Sequence, residues 1–212
     1  MAAADKPMTA RSPAIIFDFG NVLIRWDPHN LFLKYFSNDV QAIDRFLAEV
    51  NFYEWNHRLD KGSPYPQVLA EFSAQHPQYA HLFRAYFAEE WEESIPGVIP
   101  ETIDLLYRLK VAGHPLYGLT NWSADKFAII RQKYAFCALF DEIVVSGEVK
   151  LTKPDPDIFH LLLQQVGCPA QECLFIDDAL RNIEAARDLG FATVHFTSPA
   201  QLEAELQYFN LL

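Results

Sequence analysis

Five short apolar runs, each closed by polar or turn-forming residues, limit what this chain can fold into. They are Ala14-Ile15-Ile16-Phe17, Leu116-Tyr117-Gly118-Leu119, Glu142-Ile143-Val144-Val145, Cys173-Leu174-Phe175-Ile176 and Ala192-Thr193-Val194-His195. They do not alternate apolar with polar, so each strand is expected to be covered on both faces, as in a parallel sheet. Helical spacing fills the gaps between them. Ile99, Ile103, Leu106 and Leu109 share a face, Pro100 suits the first turn, and Gly113 closes the segment. Asp155-Pro156 opens a helix carrying Ile158, Leu161 and Leu162, while Ile183, Ala186 and Leu189 lead to a stop at Gly190. Ser198-Pro199-Ala200-Gln201 reads as a capping-box start. Strand then helix at this pitch predicts an α/β fold built on a doubly wound parallel sheet.

The stretch from residue 28 to 92 breaks the rhythm. It follows the first strand, contains no strand-like run and reads as several helices. Half of the chain's Phe, Tyr and Trp residues fall between Trp26 and Trp91. The expected organisation is a disordered leader (1–12), an α/β core (13–27 and 93–212) and an inserted helical cap (28–92). Most of the cap's rings should form its own core, with a few at a cleft.

With 17 Lys and Arg against 28 Asp and Glu, the net charge is −11. That argues against a nucleic-acid partner or an anionic membrane surface. A small anionic substrate is still compatible with it, because one cation in a pocket outweighs a distant mean field. The three cysteines, Cys137, Cys168 and Cys173, form no C-x-x-C pair and read as small buried residues in a reducing compartment. The first thirteen residues lack an apolar secretory core, and no run is long enough to span a bilayer. A cytoplasmic protein is expected.

In a parallel sheet, ligands sit beyond the carboxyl ends of the strands. The first strand ends at Asp18, the second at Thr120-Asn121 and the fourth at Asp177-Asp178, and Lys153 lies in the loop after the third. Carboxylates converging on one edge repel each other unless a hard divalent cation such as magnesium shares them. Such a set suits phosphoryl chemistry: a carboxylate attacks phosphorus, while a hydroxyl, backbone amides and an ammonium hold the oxygens.

Ile15-Ile16-Phe17-Asp18-Phe19-Gly20-Asn21-Val22-Leu23, with Leu119-Thr120-Asn121, Lys153-Pro154-Asp155-Pro156 and Phe175-Ile176-Asp177-Asp178, resembles the four motifs of the haloacid dehalogenase-like (HAD) hydrolase superfamily. The resemblance covers nearly the whole chain after the leader. Its first motif is similar to that of small bacterial HAD phosphatases, some of which act on sugar phosphates such as glucose 1-phosphate. It implies a magnesium-dependent phosphatase working through an aspartyl-phosphate on a small phosphorylated metabolite. Asp18 would be the nucleophile, Thr120 and Lys153 would hold the phosphoryl group, and Asn121 would add a donor. Magnesium would be bound by Asp18, the Gly20 backbone carbonyl, Asp177 and Asp178, with Asn182 in support. The cap would select substrate, with Trp26, Trp55, Asn56, His57 and Arg58 as cleft candidates and Trp122 beside the second motif.

One position departs from the family pattern. Where many relatives carry an Asp that serves as general acid and base, this chain has Gly20. Loss of such a group typically costs about 10²–10⁴-fold in rate, so either another group moves the proton or the substrate has a good leaving group, as an anomeric or acyl phosphate has. A metal-independent 2-haloacid dehalogenase shares fold and nucleophile, with Arg25 as a conceivable carboxylate clamp. Against it stands the Asp177-Asp178 pair, a poor host for a carboxylate substrate without a cation. A phosphoacceptor receiver has its acidic pair early and no helical insert. A non-catalytic HAD-fold scaffold is the remaining alternative.

Overall fold

The computed structural model describes residues 13–212; the leader expected over residues 1–12 lies outside the described residues. The chain opens with β1 (Ala14–Phe17) and a two-residue strand β2 (Ile24–Arg25). Five helices follow: α1 (His29–Phe32), α2 (Val40–Glu49), α3 (Phe52–Asp60), α4 (Tyr65–Gln75) and α5 (Ala80–Arg84). After β3 (Gly97–Val98) come α6 (Pro100–Val111), β4 (Leu116–Thr120), α7 (Ala124–Lys133) and β5 (Glu142–Val145). The last part holds α8 (Ser146–Val149), α9 (Pro156–Val166), β6 (Cys173–Asp177), α10 (Leu180–Asp188), β7 (Ala192–His195) and α11 (Pro199–Tyr208).

All five expected runs become strands of one parallel sheet, ordered β5-β4-β1-β6-β7. Their apolar residues divide between two cores. Ile15, Phe17, Leu116, Leu174 and Ile176 face one side with α6 and α11, while Ala14, Ile16, Leu119, Cys173 and Phe175 pack with α9 and α10 on the other. This two-sided burial is why the runs lack alternation. Because β1 lies between β4 and β6, its carboxyl end meets those of both neighbours at the crossover point where ligands collect in such sheets.

Helix ends follow local chemistry. Asp155 caps α9 by accepting from Asp157 N–H, and Ser198 caps α11 by accepting from Gln201 N–H. The reciprocal bond of the expected capping box is shifted by one residue: the Gln201 side chain accepts from Thr197 N–H.

The insert has a core of its own. Leu31, Phe32, Phe46, Phe52, Trp55, Phe72, Phe83 and Tyr86 are all buried in one cluster, drawn entirely from residues 31–87. An antiparallel ribbon, β2 against β3, brackets the insert at its two ends, pairing Ile24 with Val98 and Arg25 with Gly97. The expectation did not include this ribbon, because two-residue strands carry no periodic signal. Past α5 the helix widens to an i→i+5 turn over Ala85–Glu89, closed by Glu90 N–H on Ala85 C=O at 2.7 Å. Turns of this kind often occur at functional sites. Among the described residues no helix is long and apolar enough to cross a membrane.

Candidate active site

Asp18 follows β1 directly and stays in register with the sheet, its N–H donating to Ile176 C=O at 2.9 Å. The chain then turns back sharply. Leu23 and Ile24 N–H both donate to Phe19 C=O, and Asn21 takes φ +52°, its side chain accepting from Trp26 N–H. This turn leaves Asp18 at the sheet edge, 7 % exposed. Its Oδ1 accepts from Phe19 N–H at 2.7 Å and from the Lys153 ammonium at 2.9 Å. Its Oδ2 has no hydrogen-bond partner among the described residues.

Lys153 is almost fully buried and spends its three donors on Asp18, on Asp177 Oδ2 at 2.7 Å and on Leu119 C=O at 2.8 Å. Its position is set from β4. Asn121 accepts from Lys153 N–H at 2.8 Å and donates to Lys153 C=O at 2.9 Å, clamping the loop with one side-chain amide. Asp177 is completely buried. Asn182, on the first turn of α10, donates to both of its oxygens, and Ala179 N–H donates to Oδ1.

Burial opposes the charge on each of these groups. It raises the Asp18 carboxyl above the usual range; Lys153 pulls it back, and Asp177 and Asp178 push it further up. Burial, then Asp177, likewise raises Asp178, with Lys153 working the other way. For Lys153 burial disfavours the ammonium, but Asp177 and Asp18 outweigh it and hold the group above its ordinary value. Oxygens of Asp18, Asp177 and Asp178 lie within 4.8 Å of one another. Carboxylate oxygens this close form a donor set that fits a hard divalent cation.

These groups open on a cavity of about 250 Å³ lined by Asp18, Gly20, Thr120, Lys153, Asp178 and Asn182 on the sheet side. The opposite wall comes from the insert, with Tyr53, Asn56, His57, Asp60, Tyr86 and Trp91, and Lys126 and Trp122 add to the lining. Trp26 lies between the two walls and donates its indole N–H to the Tyr86 hydroxyl at 2.8 Å. Asp60 accepts from Asn56 at 2.7 Å, and its backbone carbonyl accepts from the Ser146 hydroxyl at 2.6 Å, which ties α3 to the core. Burial raises the Asp60 carboxyl to about 7 against the pull of Lys126. Burial also lowers the Lys126 ammonium to about 8, with Asp60 acting the other way.

The family model for haloacid dehalogenase-like hydrolases matches residues 13–190. The chain belongs to that family. It is 27% identical over 201 residues to a sesquiterpene phosphatase of Aspergillus oryzae, a match covering 92% of this chain and 94% of that protein. A drimenol cyclase of Aspergillus calidoustus is 27% identical over 194 residues. That match takes in 91% of this chain but only 35% of the cyclase, so the chain spans about a third of that relative's length. Among solved structures, a wild-type HAD family enzyme of Bacteroides thetaiotaomicron, in complex with magnesium and inorganic phosphate, shares the fold. Its TM-score is 0.62 at 23% identity, over 87% of this chain and 94% of that one.

In this HAD-like hydrolase the expected site residues divide into three groups. Asp18, Gly20, Thr120, Asn121, Lys153, Asp178, Trp26, Asn56, His57, Trp122 and Asn182 all line the one cavity. Asp177 stands behind it, engaged by Lys153 and Asn182. Trp55, expected to meet substrate, does not line the cavity. Its indole is buried in the insert's core, edge-on to Phe72 and Phe83, with its N–H on Val50 C=O at 2.9 Å. Arg58 stacks over Trp55 and pairs with Glu71, and Arg25 borders a separate open groove. Asn121, expected to offer a donor to substrate, spends its carbonyl and one N–H on the Lys153 loop, which leaves its second N–H on the cavity lining. Lys126, Asp60, Tyr53, Tyr86 and Trp91 also line the cavity but belong to no motif, because their convergence depends on how the insert packs.

Proposed function

We propose that this hydrolase is a magnesium-dependent phosphomonoesterase that cleaves a small phosphorylated metabolite through an aspartyl-phosphate on Asp18. The observation that carries this reading is the division of labour at Asp18. Oδ1 is engaged by Phe19 N–H and Lys153, while Oδ2 has no partner, on a carboxylate that lines the cavity. A carboxylate fixed through one oxygen and free at the other is oriented for in-line attack.

Asp18 Oδ2 forms the new bond to phosphorus as the ester P–O bond breaks, and the electron pair leaves with the ester oxygen. The Lys153 ammonium offsets part of the burial that disfavours the Asp18 carboxylate, and from beside the nucleophile it adds positive charge to the phosphoryl end of the cavity. The Thr120 hydroxyl, at the end of β4 and on the cavity lining, would hold one of the phosphoryl oxygens. Water then attacks phosphorus as the bond from phosphorus to Asp18 Oδ2 breaks and the electron pair returns to the carboxylate; the proton that water sheds balances the one the departing ester oxygen takes up. Asp18 and Asp178, with the Gly20 backbone beside them and Asp177 behind, would hold magnesium. When bound, the ion would supply positive charge next to the phosphoryl oxygens. Gly20 offers no proton-transfer group, which favours esters with a good leaving group.

The aromatic wall of Trp26, Tyr53, Tyr86, Trp91 and Trp122 suits a leaving group with an apolar face. A sugar 1-phosphate presents one, and so does the substrate type for which the Aspergillus oryzae relative is named. The free cysteines suit a reducing compartment such as the cytoplasm. The test is phosphate release from sugar 1-phosphates, sugar 6-phosphates, a prenyl phosphate and an aryl phosphate, with magnesium or EDTA. Release that needs magnesium and is lost in Asp18→Asn supports the reading. Release from none of them, with halide release from 2-haloacids in EDTA, replaces it with dehalogenation.

A further inference from the structure

Lys126 is an unusual lysine. It is 8 % exposed, on the first turn of α7, and lines the same cavity as Asp18 and Thr120. Its ammonium lies over the rings of Phe87, Tyr86 and Trp91, at 4.6, 4.9 and 5.4 Å from their centres. Those faces attract a cation without using its hydrogen-bond donors. Among the described residues no carboxylate lies within 4.0 Å of the ammonium, and no protein acceptor takes any of its three N–H groups. It also stands at the positive end of its helix, where a cation is disfavoured. The carboxylates that act on it, Asp60 and Asp125, do so from beyond 4.0 Å, so this side chain, buried except where it opens on the cavity, lacks the directly bonded acceptor oxygens that normally accompany a buried charge.

We propose that Lys126 is a second anion anchor, and that the ester this hydrolase cleaves carries a carboxylate or a second phosphate on its leaving group. This rests on the phosphatase reading of Asp18. The phosphoryl group takes the Asp18 side of the cavity, the aromatic wall takes the body of the leaving group, and its anionic end meets Lys126. Asp60, held by Asn56 and by the docking of α3 on Ser146, lines the same cavity, and its proton would be retained more strongly with a bound anion nearby. A hydroxyl would satisfy one donor and bring no charge, so an anionic oxygen group fits the three open N–H donors better.

The experiment measures binding of non-hydrolysable alkyl phosphonates by calorimetry, with magnesium, to the full-length protein. The series varies chain length and ends in methyl, hydroxyl, carboxylate or phosphate. Wild type is expected to bind the best anion-ended ligand about 10- to 100-fold more tightly than its methyl-ended counterpart. Lys126→Met and Lys126→Gln should both collapse that ratio to within about threefold, while Lys126→Arg keeps part of it. The carboxylate and phosphate arms identify which anion is preferred.

Equal affinity for all ends in wild type overturns the proposal, as does binding of none of the ligands. Equal losses for methyl- and anion-ended ligands in Lys126→Met also overturn it, and reduce Lys126 to a strut between α7 and the insert. Turnover of the matching esters is read separately. If they yield no phosphate while the binding ratio holds, the phosphatase reading fails and the anion anchor stands.

Discussion

Replacing Lys153 by Met removes one charge and little volume from the middle of the site. The ammonium is 1 % exposed and has acceptors at 2.9, 2.7 and 2.8 Å, in Asp18, Asp177 and Leu119 C=O. At such distances each ion pair is worth about 6 kcal/mol of gross attraction at an effective dielectric constant near 20. Most of that is offset by desolvating the ammonium, a penalty that Met escapes. What remains is the cost of leaving two buried carboxylates without their cation, about 3–5 kcal/mol when one partner of a buried pair is lost. Asp177 keeps Asn182 and Ala179 N–H, so Asp18 suffers more.

Protonation limits the loss and gives it a pH signature. Asp18 already sits above its ordinary value, and without Lys153 it moves further up. A carboxyl whose folded pKa exceeds its unfolded one binds more protons in the folded state, so stability falls as pH rises between the two values. The gap between wild type and Lys153→Met should therefore be widest near pH 8 and roughly halved near pH 5, read by urea unfolding in EDTA. Millimolar magnesium should restore more stability to the variant than to wild type, because a cation bound only by the folded state stabilises it by mass action. A loss below about 1 kcal/mol, or one that does not change with pH, would refute the view that Lys153 neutralises this carboxylate pair.

Gly20→Asp tests the missing proton-transfer group. A Cβ at Gly20 would meet no atom within 4 Å, so Asp is expected to fit and to raise turnover of alkyl phosphates by about 10²–10⁴-fold relative to aryl phosphates; an unchanged ratio excludes that role. Gly147→Ala should fail structurally, because its Cβ would lie 2.5 Å from Ala124 N and 2.8 Å from Trp122 O, both backbone atoms. The expected loss is about 1–3 kcal/mol or more in urea unfolding, with activity falling as the start of α7 shifts. Asp60→Asn should alter the pH dependence of stability. The Asp60 carboxyl is raised to about 7, so its contribution to wild-type stability declines as pH climbs from about 4 to 7. Asn does not titrate, so the variant should gain on wild type above pH 7 and match it near pH 4; parallel stability curves would contradict this.

Elements whose causes are local were legible in the sequence. Ile15 and Ile16 point to opposite faces of β1 and are both fully buried, so the run had to be uniformly apolar and could be read without knowing its neighbours. Asp18, Thr120 and Asp177 end their strands, and a parallel sheet brings strand ends together whatever the order of its strands. The clamp of Asn121 on Lys153 was not legible. It joins residues thirty-two positions apart through one amide, and nothing in either segment's composition distinguishes an amide offered to substrate from one used on the backbone.

Helix α3 shows where a finer reading was possible. Phe52, Trp55 and Leu59 recur at i, i+3 and i+7 and are all buried in the insert's core. Tyr53, Asn56, His57 and Asp60 recur at i, i+3, i+4 and i+7, and all of them line the cavity. The two stripes interleave on one helix, the first wholly apolar and the second mixed. By the usual rule for an amphipathic helix the apolar stripe faces a core, so Trp55 belonged with Phe52 and Leu59 from the outset. The mixed stripe would then have nominated Asp60 together with Asn56. Lys126 offers no comparable signal. It precedes Phe127 on a helix whose other basic residues, Arg131 and Lys133, are exposed, and only the rings of Tyr86, Phe87 and Trp91, brought over it by the chain's return from the insert, make it a buried cation. A charge that becomes costly only after tertiary packing is invisible to composition, and for the same reason it is where a ligand can contribute most.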